Sequence, residues 1–463
     1  MTIPQRYPAR QHALNVKHHL QTKLSDLSKT SIFLSGSLQE SDKYSDSSKP
    51  FKQERYFFYL TGVNIPGSHV FYDLNKEELV LFLPEIDQDD VMWSGLPLSI
   101  EDASKKFDVD KVVYSNEIPN YLSKYDVNLT TDIDKNNQIY KNQLTPGQTE
   151  LFYALDESRI IKDSYEIELL RKAAKITDNC HYAVMSALPI ETNETHIHAE
   201  FMYHAIRQGS KHTAYDPICC SGPSCGTLHY VKNDDDLGTK QSILIDAGAE
   251  WENYAADVTR SFPINGEWSK EHREIYDSVK EMQDKTLELI KPGQSWDELH
   301  LLAHKVLIER FLKLGIFHNG TKEEIYESGA STIFFPHGLG HLLGMDTHDV
   351  GGHPNYEDPD EKLQYLRLRR TLQKGYVVTD EPGIYFSPFL VENGFKDVNK
   401  RKYVNEEIMK KYYPIGGVRI EDDILVTEDG YENLTGITSD ADEISKIVKA
   451  GIAKGRSYFH NVV

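Results

Sequence analysis

The sequence predicts an α+β chain of two domains, and three observations carry that prediction. Its 463 residues are more than one hydrophobic core usually organises, and fit two or three domains. Up to about residue 160, short apolar strands and helical stretches suggest a mixed sheet with helices. From Asp163 onward a capped helix opens a second run, in which helices give way to strands that end on acids. Hydrophobic residues at 39% and charged residues at 27% place the chain among globular proteins. The formal net charge of −21 argues against nucleic acid or an anionic membrane as a partner. No stretch approaches the roughly 18 apolar residues of a membrane span.

Residues 1–25 hold Arg6, Arg10, Lys17 and Lys23 and no acid, a composition shared with import presequences. Pro4 and Pro8 spoil the amphipathic helix that such a leader needs, so a cytoplasmic location is expected and mitochondrial import is the lesser alternative. Cys180, Cys219, Cys220 and Cys225 have the spacing of neither a zinc ribbon nor a disulfide framework, and read as reduced thiols. "SIFLSG" (31–36) reads as a strand, and the polar run 38–50 as a loop. Residues 68–83 read as strand, turn at Asn75–Glu77, strand. The boundary is expected in and just after 144–150, giving domains 1–160 and 161–463.

The second domain opens with Asp163 as N-cap and Glu166 three residues on, a capping box. Ile167, Leu170 and Ala174 follow at helical spacing. Further helices are expected at 195–209, 270–290 and 296–314, and a short one at 440–450. The strands are "SILIDAG", "AADVTRSF", "YVVTDEPGIYF" and "GGVRIEDDILVT". No internal repeat of 20–50 residues is evident.

The chemistry is concentrated on those strands. If a hairpin turns over Glu250–Asn253, Asp246 falls directly opposite Asp257 and the two share a sheet face. Two carboxylates in an apolar setting repel, and one takes up a proton unless a cation lies between them. Alternation in "GGVRIEDDILVT" puts Arg419 and Glu421 on one face. The strand "YVVTD" delivers Glu381 where Pro382–Gly383 turns the chain. Residues 334–352, "FFPHGLGHLLGMDTHDVGG", add His337, His341 and His348. A zinc-protease helix needs a glutamate after its first histidine; Gly338 stands there, and Gly338 and Gly340 weaken a helix. Residue types alone leave open which histidine holds a metal. His196, His198 and His204 read as helix-surface residues. The acid runs 87–90 and 233–236 read as solvated loops, since neither continues into an EF-hand.

Taken together, "IDAGAEWENYAADVTRSFP", "HGLGHLLGMDTHDVGG", "DEPGIYF" and "GGVRIEDD" resemble the pita-bread metallopeptidases that cleave before proline, the Xaa-Pro dipeptidases (prolidases) and Xaa-Pro aminopeptidases. "GTLHY", "RYFFYLTG" and "WSGLPLS" extend the likeness over both domains. The resemblance implies an N-terminal mixed α/β domain followed by a pita-bread catalytic domain. It implies a binuclear site of Asp246, Asp257, His341, Glu381 and Glu421, with Asp257 and Glu421 shared between two divalent cations that activate a water. An oxygen-rich set with one imidazole suits Mn²⁺, then Co²⁺ and Zn²⁺. Glu381 is implied as proton shuttle. His229 and His348 would stabilise the oxyanion, and His337 would line the substrate pocket. Arg419 would orient Glu421 or bind a substrate carboxylate. A homodimer is implied, in which Trp93 reaches the neighbour's site. Ser261 stands where the family has threonine and keeps the hydroxyl.

The implied substrate is a peptide with proline second. A dipeptidase must clamp the free proline carboxylate with a cation, whereas an aminopeptidase leaves that end open. An insertion at 387–415 resembles one in prolidases and carries Lys396, Lys400, Arg401 and Lys402, with Arg367, Arg369 and Arg370 upstream. On this ground a dipeptidase is expected over an aminopeptidase. The non-enzymatic alternative, a pita-bread module that only binds peptides, is disfavoured because all five implied ligands are present.

Overall fold

The computed structural model describes residues 6–45 and 47–454, which divide into two compact units, Met1–Ile160 and Ile161–Val463. In the first, helix α1 (Ala9–Gln21) buries Ala9, His12, Ala13, Val16 and Leu20, the three- and four-residue spacing of an amphipathic helix. Pro8 stands at its N-cap position, where a missing amide costs nothing, instead of breaking it; Pro4 lies outside the described residues. The apolar face of α1 thereby joins the unit's core, with Arg10 left on the surface.

Strand β1 (Thr30–Ser35) follows, then α2 (Arg55–Thr61), β2 (His69–Asp73), β3 (Glu78–Leu83), α3 (Gln88–Ser94), α4 (Ile100–Lys106), β4 (Lys111–Tyr114), α5 (Ile118–Leu122), β5 (Val127–Thr130), β6 (Thr145–Pro146) and α6 (Thr149–Ile160). The strands form one six-stranded sheet in the order β4-β3-β2-β1-β5-β6. Its centre is antiparallel, and β4 and β5 join in parallel. Phe33, Phe71, Val80 and Phe82 pack beneath Ile118 and Leu122. The acid run 87–90 is a helix start here: Asp87 caps α3 by accepting the Asp89 amide, a favourable place for acids at the positive end of a helix dipole.

The second unit begins with α7 (Ser164–Ala187), whose capping box of Asp163 and Glu166 is formed, and α8 (Glu194–Arg207). Strands β7 (Ile218–Ser221), β8 (Ser242–Asp246), β9 (Glu250–Trp251), β10 (Tyr254–Ala255) and β11 (Thr259–Pro263) come next. Helices α9 (Lys270–Leu287), α10 (Trp296–Leu314) and α11 (Lys322–Glu327) lead to β12 (Val377–Asp380) and β13 (Gly383–Tyr385). The 387–415 insertion folds as α12 (Pro388–Gly394), α13 (Val398–Arg401) and α14 (Glu406–Met409). Strands β14 (Gly417–Arg419), β15 (Asp422–Val426) and β16 (Tyr431–Asn433) and helix α15 (Ala441–Lys454) complete the unit.

The small sheets are β11-β8-β7, β12-β15-β16 and β13-β14; a single bridge ties Thr259 of β11 to Glu421, and another lays Leu342 beside Val378 of β12. The expected hairpin register is corrected by two residues. The turn is Glu252–Asn253, both at positive φ (48° and 68°), the two-residue hairpin geometry that matches strand twist. Trp251 therefore pairs with Tyr254, and Asp246 lies opposite Thr259, not Asp257. A two-residue shift preserves the sheet face.

The 233–236 run is likewise more than a solvated loop: Asn233 is buried and holds the Cys219 amide and the Pro217 carbonyl. On α8, His196 is exposed and His204 pairs with Glu200 at 3.0 Å. Gly340 is required by close packing, since a Cβ there would stand 2.0 Å from the Thr379 carbonyl oxygen. Gly340→Ala is expected to lower stability by about 1–3 kcal/mol, read as a lower urea midpoint at unchanged slope.

Candidate metal and substrate site

Four of the five implied ligands stand where strands stop. Asp246 ends β8, Asp257 lies between β10 and β11, Glu381 between β12 and β13, and Glu421 between β14 and β15. His341 comes from an extended segment laid along β12. The Thr379 amide donates to the His341 carbonyl and the His341 amide to Thr379 Oγ1 (2.9 and 3.0 Å). All five line one cavity of about 820 Å³.

Asp257, His341 and Glu421 each bring a ligand atom within 4.8 Å of the others. His341 Nε2 lies 3.4 Å from Asp257 Oδ2 and 3.4 Å from Glu381 Oε1. Its Nδ1 faces the Leu342 carbonyl at 3.0 Å. With the proton on Nδ1, the Nε2 lone pair points among the carboxylates, the tautomer a metal ligand needs.

Each acid is held by a neighbour. Asp246 accepts from Tyr215 Oη on one oxygen (2.5 Å) and from Arg419 on the other (2.7 Å). Glu421 accepts from Thr259 Oγ1 at 2.6 Å, and Glu381 from Thr379 Oγ1 at 3.3 Å. Both oxygens of Asp423 take the Asp257 amide. Burial raises Asp246 and Glu421 above the usual carboxylate range, reinforced by neighbouring carboxylates, and pushes Glu381 to about 7. Burial acts the same way on Asp257, but His341 brings it below that range, and His341 is raised in return by Asp257 and Glu381. Three buried carboxylates and the half-buried Glu381 crowd around one imidazole and one guanidinium, a repulsion that a cation would relieve, and an oxygen-rich donor set of this kind fits hard divalent cations.

The side chains around this centre divide by function. Arg419 NH1 donates to Tyr385 Oη (2.7 Å), which lies 2.8 Å from His337 Nε2, while His337 Nδ1 faces the Gly338 carbonyl (2.7 Å). Both nitrogens of His337 are thus engaged, and it presents its ring to the cavity. Arg419 is directed to Asp246 and not, as the alternation suggested, to Glu421. His348 lies with its ring edge against His341, centroids 4.5 Å apart. It and His229 line the cavity, and none of the described hydrogen bonds engages their ring nitrogens. Trp93 is 79% exposed on the first unit, beside exposed Met92 and Leu96.

Reading the sequence missed Tyr215, Thr259, Thr379 and Tyr385. Three of these, Thr259, Thr379 and Tyr385, lay inside quoted segments, but Tyr215, in "AYDP", carried no signal. The insertion's cations are mostly engaged locally. Lys400 pairs with Glu361, Arg401 with Glu406, Arg369 with Asp297 and Asp358, and Lys396 donates to Asn393. Arg370 donates to the Gly351 carbonyl, and Lys402 lies over the Tyr403 ring. Of the seven cations considered, Arg367 alone lines the cavity, beside Tyr356, Tyr365 and Leu390.

Residues 168–428 match metallopeptidase family M24, and residues 12–131 match the N-terminal domain of aminopeptidase P. An uncharacterised peptidase of Saccharomyces cerevisiae, YFR006W, is 52% identical over 99% of this chain and 87% of its own. A probable Xaa-Pro aminopeptidase of Sordaria macrospora is 42% identical over 97% of both. Aminopeptidase P from E. coli, solved with the inhibitor Pro-Leu, superposes with a TM-score of 0.80 at 29% identity, over 96% of this chain and 99% of that one. The second and third of these bear the aminopeptidase name, which goes against the expected preference for a dipeptidase.

Proposed function

The chain belongs to metallopeptidase family M24, and from that premise we propose that it is an Xaa-Pro aminopeptidase, releasing the N-terminal residue of peptides with proline second. One observation carries the reading: Asp246, Asp257, His341, Glu381 and Glu421 converge on one cavity that His229, His337 and His348 also line. Those five would hold two divalent cations, with Mn²⁺ first and Co²⁺ or Zn²⁺ as alternatives. When bound, the cations supply Lewis-acid activation of water and of the carbonyl before proline.

The chain's own residues supply the rest. Glu381, which lines the cavity, would take the proton from water and return it to the leaving proline nitrogen. His229 and His348 donate to the oxygen that becomes negative. The Arg419–Tyr385–His337 chain fixes the wall beneath them. A homodimer in the cytoplasm, with Trp93 against the neighbouring subunit, completes the proposal; its support is the exposure of Trp93 and the family likeness. Among the described residues no helix is long and apolar enough to cross a membrane.

A second reading, the dipeptidase, keeps one observation in its favour: Arg367 lines the cavity and is a cation of the kind that clamps a free carboxylate. Turnover of Ala-Pro and of Ala-Pro-Ala by metal-stripped protein refilled with Mn²⁺ separates the two. Cleavage of the tripeptide at the greater rate is expected. Hydrolysis of the dipeptide alone, abolished in Arg367→Ala, would replace this reading with the second, and no turnover of either by the folded, refilled protein would end both.

A further inference from the structure

Resting on that reading, we propose that His300 on α10 is a positioning residue, a buried two-sided hydrogen-bond post that sets the metal-binding and the substrate-binding walls of the cavity at once. His300 is fully buried. Its Nδ1 accepts the Leu339 amide at 3.1 Å, and its Nε2 lies 2.5 Å from the Lys362 carbonyl. Accepting at Nδ1 puts the proton on Nε2, so one neutral ring makes both bonds. Burial lowers its pKa to about 4, which keeps the ring in that form near neutrality.

What the two bonds hold gives them their weight. The Leu339 peptide lies between His337 and His341, and its carbonyl accepts the Glu381 amide at 2.8 Å. Its N–H is therefore fixed by His300, while its C=O holds the main chain of Glu381, a residue of the site. Lys362 opens the segment that brings Tyr365 and Arg367 to the cavity. The two walls are in contact: a Cβ on Gly338 would stand 2.9 Å from the Tyr365 carbonyl oxygen. Helix α10 is also tied to the far end of that segment, with the Trp296 amide on the Arg370 carbonyl and Asp297 paired with Arg369. It offers a rigid base from which to set both.

The two ring nitrogens can be tested apart, because asparagine places its amide oxygen near Nδ1 and glutamine places its amide nitrogen near Nε2. His300→Asn should keep Mn²⁺ affinity within about threefold and raise KM. His300→Gln should do the reverse, weakening Mn²⁺ about tenfold or more, the scale of lost outer-shell partners of a metal site. His300→Leu should lose both.

His304, one turn on, is equally buried, bonds Ser331 Oγ at 2.9 Å, and leaves Nε2 without a partner. His304→Leu is the matched control for loss of a core imidazole, and should leave Mn²⁺ affinity unchanged. Calorimetric Mn²⁺ titration reads affinity without activity, and thermal unfolding verifies the fold. Equal losses in His300→Leu and His304→Leu, or Asn and Gln variants that behave alike, would overturn the proposal. If the leucine variant does not fold, the Asn and Gln pair decides alone. Failure of the unsubstituted protein to bind Mn²⁺ would instead overturn the metallopeptidase reading.

Discussion

His341→Ala lowers kcat/KM on Ala-Pro-Ala by at least about a thousandfold and removes bound Mn²⁺. A metal centre contributes several kcal/mol of transition-state stabilisation, and each 1.36 kcal/mol is a factor of ten in rate. His341 is the one imidazole among the five implied ligands, and its Nε2 stands 3.4 Å from both Asp257 and Glu381. Alanine therefore removes the nitrogen donor and leaves those carboxylates to repel each other. His348→Ala is the contrast. It sits against His341 ring to ring without entering the carboxylate cluster, so metal content should stay whole while turnover falls about a hundredfold, the scale of one lost oxyanion donor. Metal analysis beside initial rates distinguishes the two. Full activity and full metal content in His341→Ala would remove the centre from the proposed site.

The strands that carry the site were legible as apolar runs, and the turn at Glu381 was legible from Pro382–Gly383, but the runs around Asp257 and Glu421 were read as continuous and each is broken at its ligand. "AADVTRSF" separates into β10 and β11 around Asp257, "YVVTDEPGIYF" into β12 and β13 around Glu381, and "GGVRIEDDILVT" into β14 and β15 around Glu421. Hydrophobic periodicity reports which face is buried, and it cannot report where a ladder is interrupted so that a carboxylate can turn to a common centre. The hairpin register failed for a related reason. Glu252 gives no hint of the positive φ it adopts, because that conformation suits glycine or asparagine, and the turn was set two residues too wide. The face survived the error because two residues is one full strand period.

The insertion was misread through charge. Its lysines and arginines suggested a clamp for a free carboxylate, but Lys400 and Arg401 find their acids close by. Composition counts cations and is blind to their partners. Tyr215 was invisible for the opposite reason: a single phenol with no periodic or motif context gives no sign that it will cap Asp246.

Arg419→Leu should destabilise the metal-free protein by about 3–5 kcal/mol, the cost of leaving a buried charge without its partner. The guanidinium is buried and binds three groups: Asp246 Oδ2 at 2.7 Å, Tyr385 Oη at 2.7 Å and Thr259 Oγ1 at 3.1 Å. Leucine strands all three, and it removes the guanidinium that faces the four carboxylates. Lysine cannot repair this, since one ammonium does not reproduce the planar fork that spans three acceptors. Mn²⁺ should return part of the lost urea midpoint, because a ligand that binds only the native state stabilises it by mass action. Activity should fall about a hundredfold even when refilled, since Tyr385 loses the donor that holds it against His337. The discriminating comparison is the urea midpoint with and without Mn²⁺ for the arginine, lysine and leucine proteins. A leucine variant with the unsubstituted midpoint in the metal-free state would mean that Asp246 is already protonated, with no charge left for Arg419 to balance.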